Sequence, residues 1–342
     1  MNATENVFDL EGALAALRGR KNCLIYLHNN PDPDAMASAE GLRLLLEAEC
    51  GLKATVAHGG IIGRAENRAM VHLLGIELAA SRKLNPADFD TLATVDTQPG
   101  AGNNTFPEER VPDIVIDHHP VVKNGAAPLW NDIRPDAGAT TGIVYGYLKR
   151  RGLALDSRLS TALFYGIVSD TLDLGRNATD SEREAYFDLL PKADLAVLSQ
   201  IRVPDLSFKH YKTLTIALQR ALVFGRELVT VSLPAVPYPE IPAELADFLL
   251  RAQGVHVSFC TGLFAGDLHL SMRTDGPGLN AGALIRQVAG PLGHAGGHER
   301  MAGGLVEQVP EENAAALGES LARRLASLLG LPPEARNLVD LV

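Results

Sequence analysis

The chain has 342 residues, of which 46% are hydrophobic and 21% charged, and its formal net charge is −10. This length predicts two domains, each with enough apolar material for its own core. Proteins that hold long DNA or RNA are usually basic, because Lys and Arg must neutralise the phosphates, so we expect no long nucleic acid as a partner. A small anionic substrate in a locally positive pocket is still compatible with this balance.

Cysteine content and the N-terminal sequence bear on the cellular setting. Cys23, Cys50 and Cys260 are scattered and form no C-x-x-C pair, which predicts reduced thiols rather than a disulfide framework. The first residues lack a basic region followed by an apolar stretch, so we read no signal peptide. The sequence has no run of 18 apolar residues, so we expect no membrane span. Together these features predict a cytoplasmic protein.

The first half of the chain alternates short apolar runs with helical patterns. The predicted strands are 22–28, 53–57, 91–95 and 113–116, and the predicted helices are 35–49, 139–151 and 156–169. This alternation predicts an α/β domain with a mostly parallel sheet and helices on both faces. Ligands of such sheets bind beyond the carboxyl ends of the strands, where His28, Asp96 and Asp117 fall.

The pattern changes after about residue 198. A segment at 201–222 leads into a helix, followed by strands at 227–233, 255–262 and 267–273 and a helix at 243–252. A Gly-rich loop is predicted at 291–304. We therefore expect a first domain at 1–205, a linker helix at 206–222, and a smaller α+β domain at 223–342. The active-site cleft is expected between the two domains.

The segment HNNPDPDA supplies His28, Asp32 and Asp34. Imidazole and carboxylate oxygens are ligands expected for Mn²⁺ and related ions. Pro31 and Pro33 stiffen the turn, so the two carboxylates can reach different metals. The alternative is a solvated turn that caps the next helix, with Asp34 as the N-cap.

Three further motifs supply polar residues after apolar segments. VDTQ gives Asp96, VIDHHP gives Asp117, His118 and His119, and GIVSDT gives Asp170. Each motif alone is compatible with an ordinary turn or helix cap. Together with the first motif they provide two His and four Asp, in the order H-x₃-D-x-D, D, H, D. That set suits two metal ions sharing one carboxylate, which clamp the attacking and leaving oxygens of a phosphoryl displacement.

These motifs resemble those of the DHH superfamily of phosphoesterases, whose name matches Asp117-His118-His119. The chain is most similar to short bacterial members with a DHH-associated C-terminal domain, and the resemblance covers nearly its whole length. It extends over HNNPDPDA, VDTQ, DHHP, the GIVSDT–LGRNAT stretch, SMRTD and GHAGGHERMAGG. The sequence departs from the family pattern at Pro33, where Gly is common, at DTQ and at MAGG. These departures remove no ligand and bear on the choice of substrate.

The resemblance implies a role for each residue of the N-terminal motifs. His28 and Asp32 would bind one metal, Asp34, His118 and Asp170 would bind the other, and Asp96 would bridge both. Asp117 would support the ligands and His119 would face the scissile phosphate. Two divalent ions are implied, typically Mn²⁺.

The resemblance also implies substrate contacts. Arg273 would grip a phosphate, and Gly296, Gly297 and His298 would form a Gly-rich phosphate loop. Arg176 and Thr179 would lie near the site. The alternatives are a flexible Gly turn and surface arginines.

The implied function is a two-metal phosphodiesterase that cuts short oligoribonucleotides (nanoRNA) or linear dinucleotides, such as pApA and pGpG, to mononucleotides. The alternatives are a 3′-phosphatase on adenosine 3′,5′-bisphosphate, a cyclic di-AMP phosphodiesterase, and a nucleotide-binding sensor with an inactive site. Relatives of this kind are often dimers, so the resemblance allows a homodimer.

Overall fold

The apolar runs and helical patterns of the sequence fold into two units, residues 1–204 and 205–342. The structure is a computed structural model that describes residues 8–122, 127–297 and 299–341. In these residues, no helix is both long enough and apolar enough to cross a membrane.

Within its described residues, the first unit has one six-stranded sheet. The elements are α1 (Leu10–Leu17), β1 (Asn22–Tyr26), α2 (Pro33–Cys50), β2 (Lys53–His58), α3 (Ala65–Leu74), β3 (Ala79–Ala80), β4 (Thr91–Val95), β5 (Ile114–Asp117), β6 (Trp130–Ile133), α4 (Thr140–Arg150), α5 (Ser157–Thr171), α6 (Asp180–Leu189) and α7 (Leu195–Arg202). The strand order is β3-β2-β1-β4-β5-β6, and every pair is parallel. The prediction of a mostly parallel sheet is therefore confirmed.

The strand order creates a switch point between β1 and β4. From β1 the chain adds β2 and β3 on one side, and then returns to place β4 on the other side of β1. Open parallel sheets bind their ligands in the crevice at such a reversal. His28 follows β1 and Asp96 follows β4, so both residues lie at this point.

The two faces of the sheet are covered differently. Because side chains alternate along a strand, Cys23 and Ile25 of β1 join the large core cluster that includes α2, α4 and α5. Leu24 and Tyr26 face the other way and pack with Phe106 in a smaller cluster. Partly buried residues beside two short 3₁₀ helices, at 81–83 and 86–88, contribute to that second cluster.

The second unit carries a mixed sheet. Its elements are α8 (Phe208–Arg220), β7 (Leu222–Phe224), β8 (Leu228–Leu233), α9 (Ile241–Leu249), β9 (Val257–Phe264), β10 (Asp267–Thr274), α10 (Ala281–Ala289), β11 (His294–Gly297), β12 (Met301–Val306), α11 (Glu311–Leu328) and β13 (Ala335–Asn337). The strand order is β11-β12-β10-β9-β8-β7-β13, and β8 and β9 are the parallel pair. This arrangement is the α+β fold expected from the sequence.

The second unit differs from the sequence expectation at two places. The Gly-rich segment predicted as a loop contains the antiparallel pair β11 and β12, in which Gly296 faces Gly303. Glycine disfavours strands, so this structure depends on the pairing of β12 with β10. Helix α8, expected as a linker, belongs to the second unit and buries Ala217 in that unit's core.

Candidate metal centre

The first group of possible metal donors lies where β1 and β4 end. His28 Nε2 is 3.5 Å from Asp96 Oδ2 and 3.7 Å from Asp32 Oδ1. His28 Nδ1 is 2.9 Å from the carbonyl oxygen of Asn29 and therefore carries the proton of that hydrogen bond. The lone pair of the neutral ring is then on Nε2, the nitrogen that faces the two carboxylates.

The second group lies where β5 and α5 end. His118 Nε2 is 3.3 Å from Asp170 Oδ2 and 3.9 Å from Asp34 Oδ2. Its Nδ1 lies 3.2 Å from the carbonyl oxygen of Ala137, so Nε2 is again the nitrogen available to a metal.

Asp96 faces both groups. Its Oδ2 lies near His28, while its Oδ1 is 3.7 Å from His118 Nε2. In each group, one donor atom from every residue lies within 4.8 Å of the others. The structure therefore brings together all six residues named as metal ligands, with Asp96 between two sets of donors.

Helix α4 positions two of the carboxylates. The backbone N–H groups of Thr140 and Thr141 donate to Asp34 Oδ2 and Oδ1, at 2.8 and 2.7 Å. The Thr140 hydroxyl donates to Asp96 Oδ1 at 2.8 Å. The first N–H groups of a helix have no partner within it and carry partial positive charge, which suits carboxylates. Sequence reasoning missed both threonines, although they form a polar pair at the predicted start of this helix.

The turn that precedes α2 positions the remaining carboxylate of the first motif. Asp32 is the N-cap of α2, because its Oδ1 accepts from the backbone N–H of Ala35 at 3.1 Å. Asp34 lies in the first turn and is fully buried. The alternative that made Asp34 the N-cap is therefore wrong.

Asp96 has an unusual backbone conformation. Its φ is 59°, in the left-handed region that Asp tolerates better than most residues. Its N–H donates to the carbonyl oxygen of Ile116 at 2.9 Å, which ties this conformation to β5. Such strain is common at functional sites.

The electrostatics of the cluster favour a cation. Burial, followed by the charges of Asp96 and Asp170, raises the pKa of Asp34 well above its ordinary value. Burial and the charge of Asp32 raise the pKa of Asp170 to about 6. A cation placed among these carboxylates would reduce their mutual repulsion and favour their ionised forms. Oxygen and imidazole donors also suit divalent ions such as Mn²⁺, so the residues fit a divalent metal centre.

Asp117 and His119 form a hydrogen-bonded pair next to these donors, and His119 also belongs to a third group of possible donors, with Asp96 and His118. Asp117 is fully buried, and its Oδ1 accepts from His119 Nδ1 at 2.8 Å. Burial lowers the pKa of His119, but the hydrogen bond that His119 donates to Asp117 and the charge of Asp96 outweigh this effect and raise the pKa to about 9. Gln98 Nε2 donates to Asp117 Oδ2 at 2.7 Å. Gln98 is the last residue of the VDTQ motif, and the sequence analysis assigned it no role.

The residues expected near the substrate within the first unit have local structural contacts. Arg176 donates from Nε and from a terminal nitrogen to the carbonyl oxygen of Asp170, at 3.1 and 2.6 Å. Thr179 is the N-cap of α6 and forms a capping box with Glu182. Both residues thus stabilise the chain just after Asp170.

The expected substrate residues of the second unit lie on its sheet. Arg273 of β10 has a side chain 12% exposed, and its Nε is 2.5 Å from Asp247 Oδ1. One terminal nitrogen of Arg273 also donates to Ser271 Oγ at 2.9 Å. Gly296 and Gly297 belong to β11. His298 lies outside the described residues.

Residues 22–167 match the model of the DHH family, N-terminal domain. Over this range, which is less than half of the chain, the first unit is similar to that family. The matched range contains five of the six residues predicted as metal ligands, and Asp170 follows it. The range thus coincides with the six-stranded sheet and with most of the cluster of donors.

Known proteins resemble this chain in sequence and in fold. An uncharacterized protein of Methanocaldococcus jannaschii is 31% identical over 322 residues, which are 92% of this chain and 65% of that protein. A probable manganese-dependent inorganic pyrophosphatase of Streptococcus pyogenes is 28% identical over 190 residues, which are 53% of this chain and 57% of that protein. The chain therefore spans less than two thirds of either curated relative. The crystal structure of an exopolyphosphatase-related protein from Bacteroides fragilis superposes with a TM-score of 0.73 at 16% identity, covering 95% of this chain and 99% of that one.

Proposed function

We propose that this protein is a metal-dependent phosphoester hydrolase whose first unit holds two divalent ions, with Mn²⁺ as the ion used. The observation that carries the proposal is the buried carboxylate of Asp96, which directs one oxygen to each group of donors. A shared carboxylate between two His- and Asp-based groups is the arrangement used to clamp both oxygens of a phosphoryl displacement. The similarity to a probable manganese-dependent enzyme supports the choice of metal.

The ions, when bound, would acidify a water molecule and neutralise charge on the phosphoryl oxygens. The protein's own contribution begins with His119. Its raised pKa favours the imidazolium form, and with Nδ1 held by Asp117 its Nε2–H can donate to a phosphoryl oxygen. Thr140 fixes the carboxylate of Asp96, so the negative charge of the site is preorganised.

We propose a short 5′-phosphorylated oligoribonucleotide or a linear dinucleotide as the substrate. A net charge of −10 disfavours long nucleic acid and permits a small substrate held at a few cationic points. We propose Arg273 and His298 as phosphate-binding residues, with backbone N–H groups of Gly296 and Gly297 beside them. Arg is suited to this contact because its planar group binds phosphate in a bidentate way.

A second candidate is hydrolysis of a phosphoanhydride, which the similarity to a probable inorganic pyrophosphatase favours. Release of the 3′-phosphate from adenosine 3′,5′-bisphosphate and hydrolysis of cyclic di-AMP are further alternatives with the same metal chemistry. A nucleotide sensor without activity is less well supported, because all six donor side chains are present and grouped.

One substrate panel distinguishes these candidates. The Mn²⁺-loaded protein is assayed with pGpG, pApA, cyclic di-AMP, adenosine 3′,5′-bisphosphate and pyrophosphate, and released phosphate and mononucleotide are quantified separately. We expect mononucleotides from the linear dinucleotides without free phosphate. Phosphate released from pyrophosphate or from the bisphosphate would favour the corresponding alternative, and a metal-loaded protein inactive on all five would favour the sensor. Asp96→Ala should abolish metal loading and turnover, and a fully active Asp96→Ala variant would contradict the two-metal proposal.

A further inference from the structure

We propose that Gln98 is a positioning residue that aims His119 at the substrate. The proposal rests on the phosphoester hydrolysis proposed above, because it assigns His119 to the phosphoryl group. Gln98 is 2% exposed and lies two residues beyond Asp96, in the loop that follows β4. Its side-chain partners lie at the end of β5 and in the loop that follows β5.

Both ends of the Gln98 amide are engaged. Nε2 donates to Asp117 Oδ2 at 2.7 Å and to the carbonyl oxygen of Pro120 at 3.1 Å. Oε1 accepts from the backbone N–H of Val122 at 2.8 Å. A carboxylate and a carbonyl can only accept, and an N–H can only donate, so these partners allow one orientation of the amide.

The contact passes from Gln98 to His119 through Asp117. The two oxygens of Asp117 have separate partners: Oδ2 accepts from Gln98, while Oδ1 accepts from the backbone N–H and from Nδ1 of His119, at 3.2 and 2.8 Å. Without Gln98, Oδ2 would be a buried acceptor without this donor, which is costly. The carboxylate would turn to find another donor, and its hold on the imidazole would change.

Gln98 also fixes the backbone on the far side of His119. The hydrogen bonds with Pro120 and Val122 hold the chain directly after the imidazole. The backbone carbonyl oxygen of Gln98 accepts from Asn104 Nδ2 at 2.8 Å, so the backbone of Gln98 is itself held within its own loop. His119 is thus restrained through its side chain and through its backbone, with Nδ1 on Asp117 and Nε2 as the nitrogen that addresses a phosphoryl oxygen.

Gln98 is separate from the metal donors. Its side-chain hydrogen bonds among the described residues go to Asp117 and to backbone groups at 119, 120 and 122. Loss of Gln98 should therefore impair catalysis while the ions still bind, which separates positioning of His119 from support of the metal centre.

The test uses two variants of the full-length, metal-loaded protein. Gln98→Glu keeps the shape but replaces the donor with an acceptor that repels Asp117, and Gln98→Met keeps the length without polar atoms. Gln200→Glu makes the same chemical change on the exposed face of α7 and serves as the matched control. The measurements are kcat and KM on the substrate cleaved best in the panel, the Kd of Mn²⁺ by calorimetry, and the hydrogen-bonded Nδ1–H signal of His119 in ¹H–¹⁵N spectra of the Mg²⁺-loaded protein.

For both Gln98 variants we expect kcat to fall about 10- to 100-fold, with the Kd of Mn²⁺ within about twofold of the wild type. The spectra should show that the Nδ1–H signal of His119 is shifted or lost as its hydrogen bond with Asp117 changes, and Gln200→Glu should change nothing. Wild-type kcat in a folded Gln98→Met variant, or a loss of activity that saturating Mn²⁺ restores with the Nδ1–H signal of His119 unchanged, would overturn the proposal. If Gln98→Glu fails to fold, Gln98→Met alone decides. If the wild-type protein cleaves no panel substrate, the proposed function fails while the spectra still decide whether Gln98 sets the state of His119.

Discussion

Replacing Asp170 by asparagine should stabilise the metal-free protein and weaken the metal-bound one. Burial and the charge of Asp32 raise the pKa of Asp170 to about 6, against 3.8 for the free side chain. A difference of about two pKa units corresponds to about 3 kcal/mol of destabilisation by the ionised form at neutral pH. The side chain is 24% exposed, so solvent does not screen most of this effect. The asparagine side chain is uncharged and would avoid this cost, which makes about 3 kcal/mol an upper limit for the gain.

The sign of the pH dependence follows from the same shift. The folded state binds the Asp170 proton more tightly than the unfolded state, so this group's contribution to stability falls as pH rises from about 4 to about 6. The metal-free wild type should therefore lose stability across that window, and Asp170→Asn should lose less. Thermal unfolding of chelator-treated protein at pH 4.5 and pH 7.5 measures both effects.

Bound metal should reverse the order of stability, so that the wild type becomes more stable than Asp170→Asn. An ion present at about 100 times its Kd adds about 2.7 kcal/mol to the folded state, and Asp170→Asn should lose most of this gain. Asp136→Asn is a suitable control because Asp136 is exposed and lies outside the donor groups. If metal-free Asp170→Asn unfolds at a lower temperature than the wild type at pH 7.5, the electrostatic reading of the cluster is wrong.

Three further predictions test the site. Thr140→Val should weaken Mn²⁺ binding by about 10- to 100-fold, because it removes the donor to Asp96 Oδ1. Thr140→Ser keeps the hydroxyl and should retain the affinity. Equal Kd values for the two variants, measured by calorimetry, would refute this prediction. Arg273→Ala should mainly raise KM, because this residue is proposed to anchor substrate, and steady-state kinetics that show only a lower kcat would contradict that role. Mn²⁺ should raise the unfolding temperature of the wild type and a chelator should reverse the rise, whereas Asp96→Ala should show no response to the ion.

Most of the α/β framework was predictable from local sequence. The runs that became β1, β4 and β5 are apolar and short. Helix α2 ends at Cys50, and its C-cap Gly51 has the left-handed φ, 68°, that is expected of glycine. The strand pair β11 and β12 was not predictable, because its glycines disfavour strands and its order comes from pairing with β10. Local patterns cannot report such long-range pairing.

The donors of the candidate site were predictable, and the groups that hold them were not. The His and Asp residues indicate a metal site by their type and by their positions after strands. The N–H groups of Thr140 and Thr141 are invisible to a search for side-chain motifs, because any residue can supply them. Gln98 was missed for another reason: its partner Asp117 is 19 residues away and is brought close only by the neighbouring positions of β4 and β5.

Helices α2 and α4 both begin at the cluster of carboxylates, α2 through its Asp32 cap and α4 through its contacts with Asp34. A helix start carries roughly half a positive charge. The two helix starts therefore stabilise the negative charge of these carboxylates before any ion binds. We therefore expect the metal-free chain to reach its folded state, unlike small domains that fold only around their metal. Metal binding would then replace solvent by ions in a chain that is already folded. We accordingly expect that one ion can be replaced by another in the folded protein, so that the proposed activity can be compared with each metal without refolding.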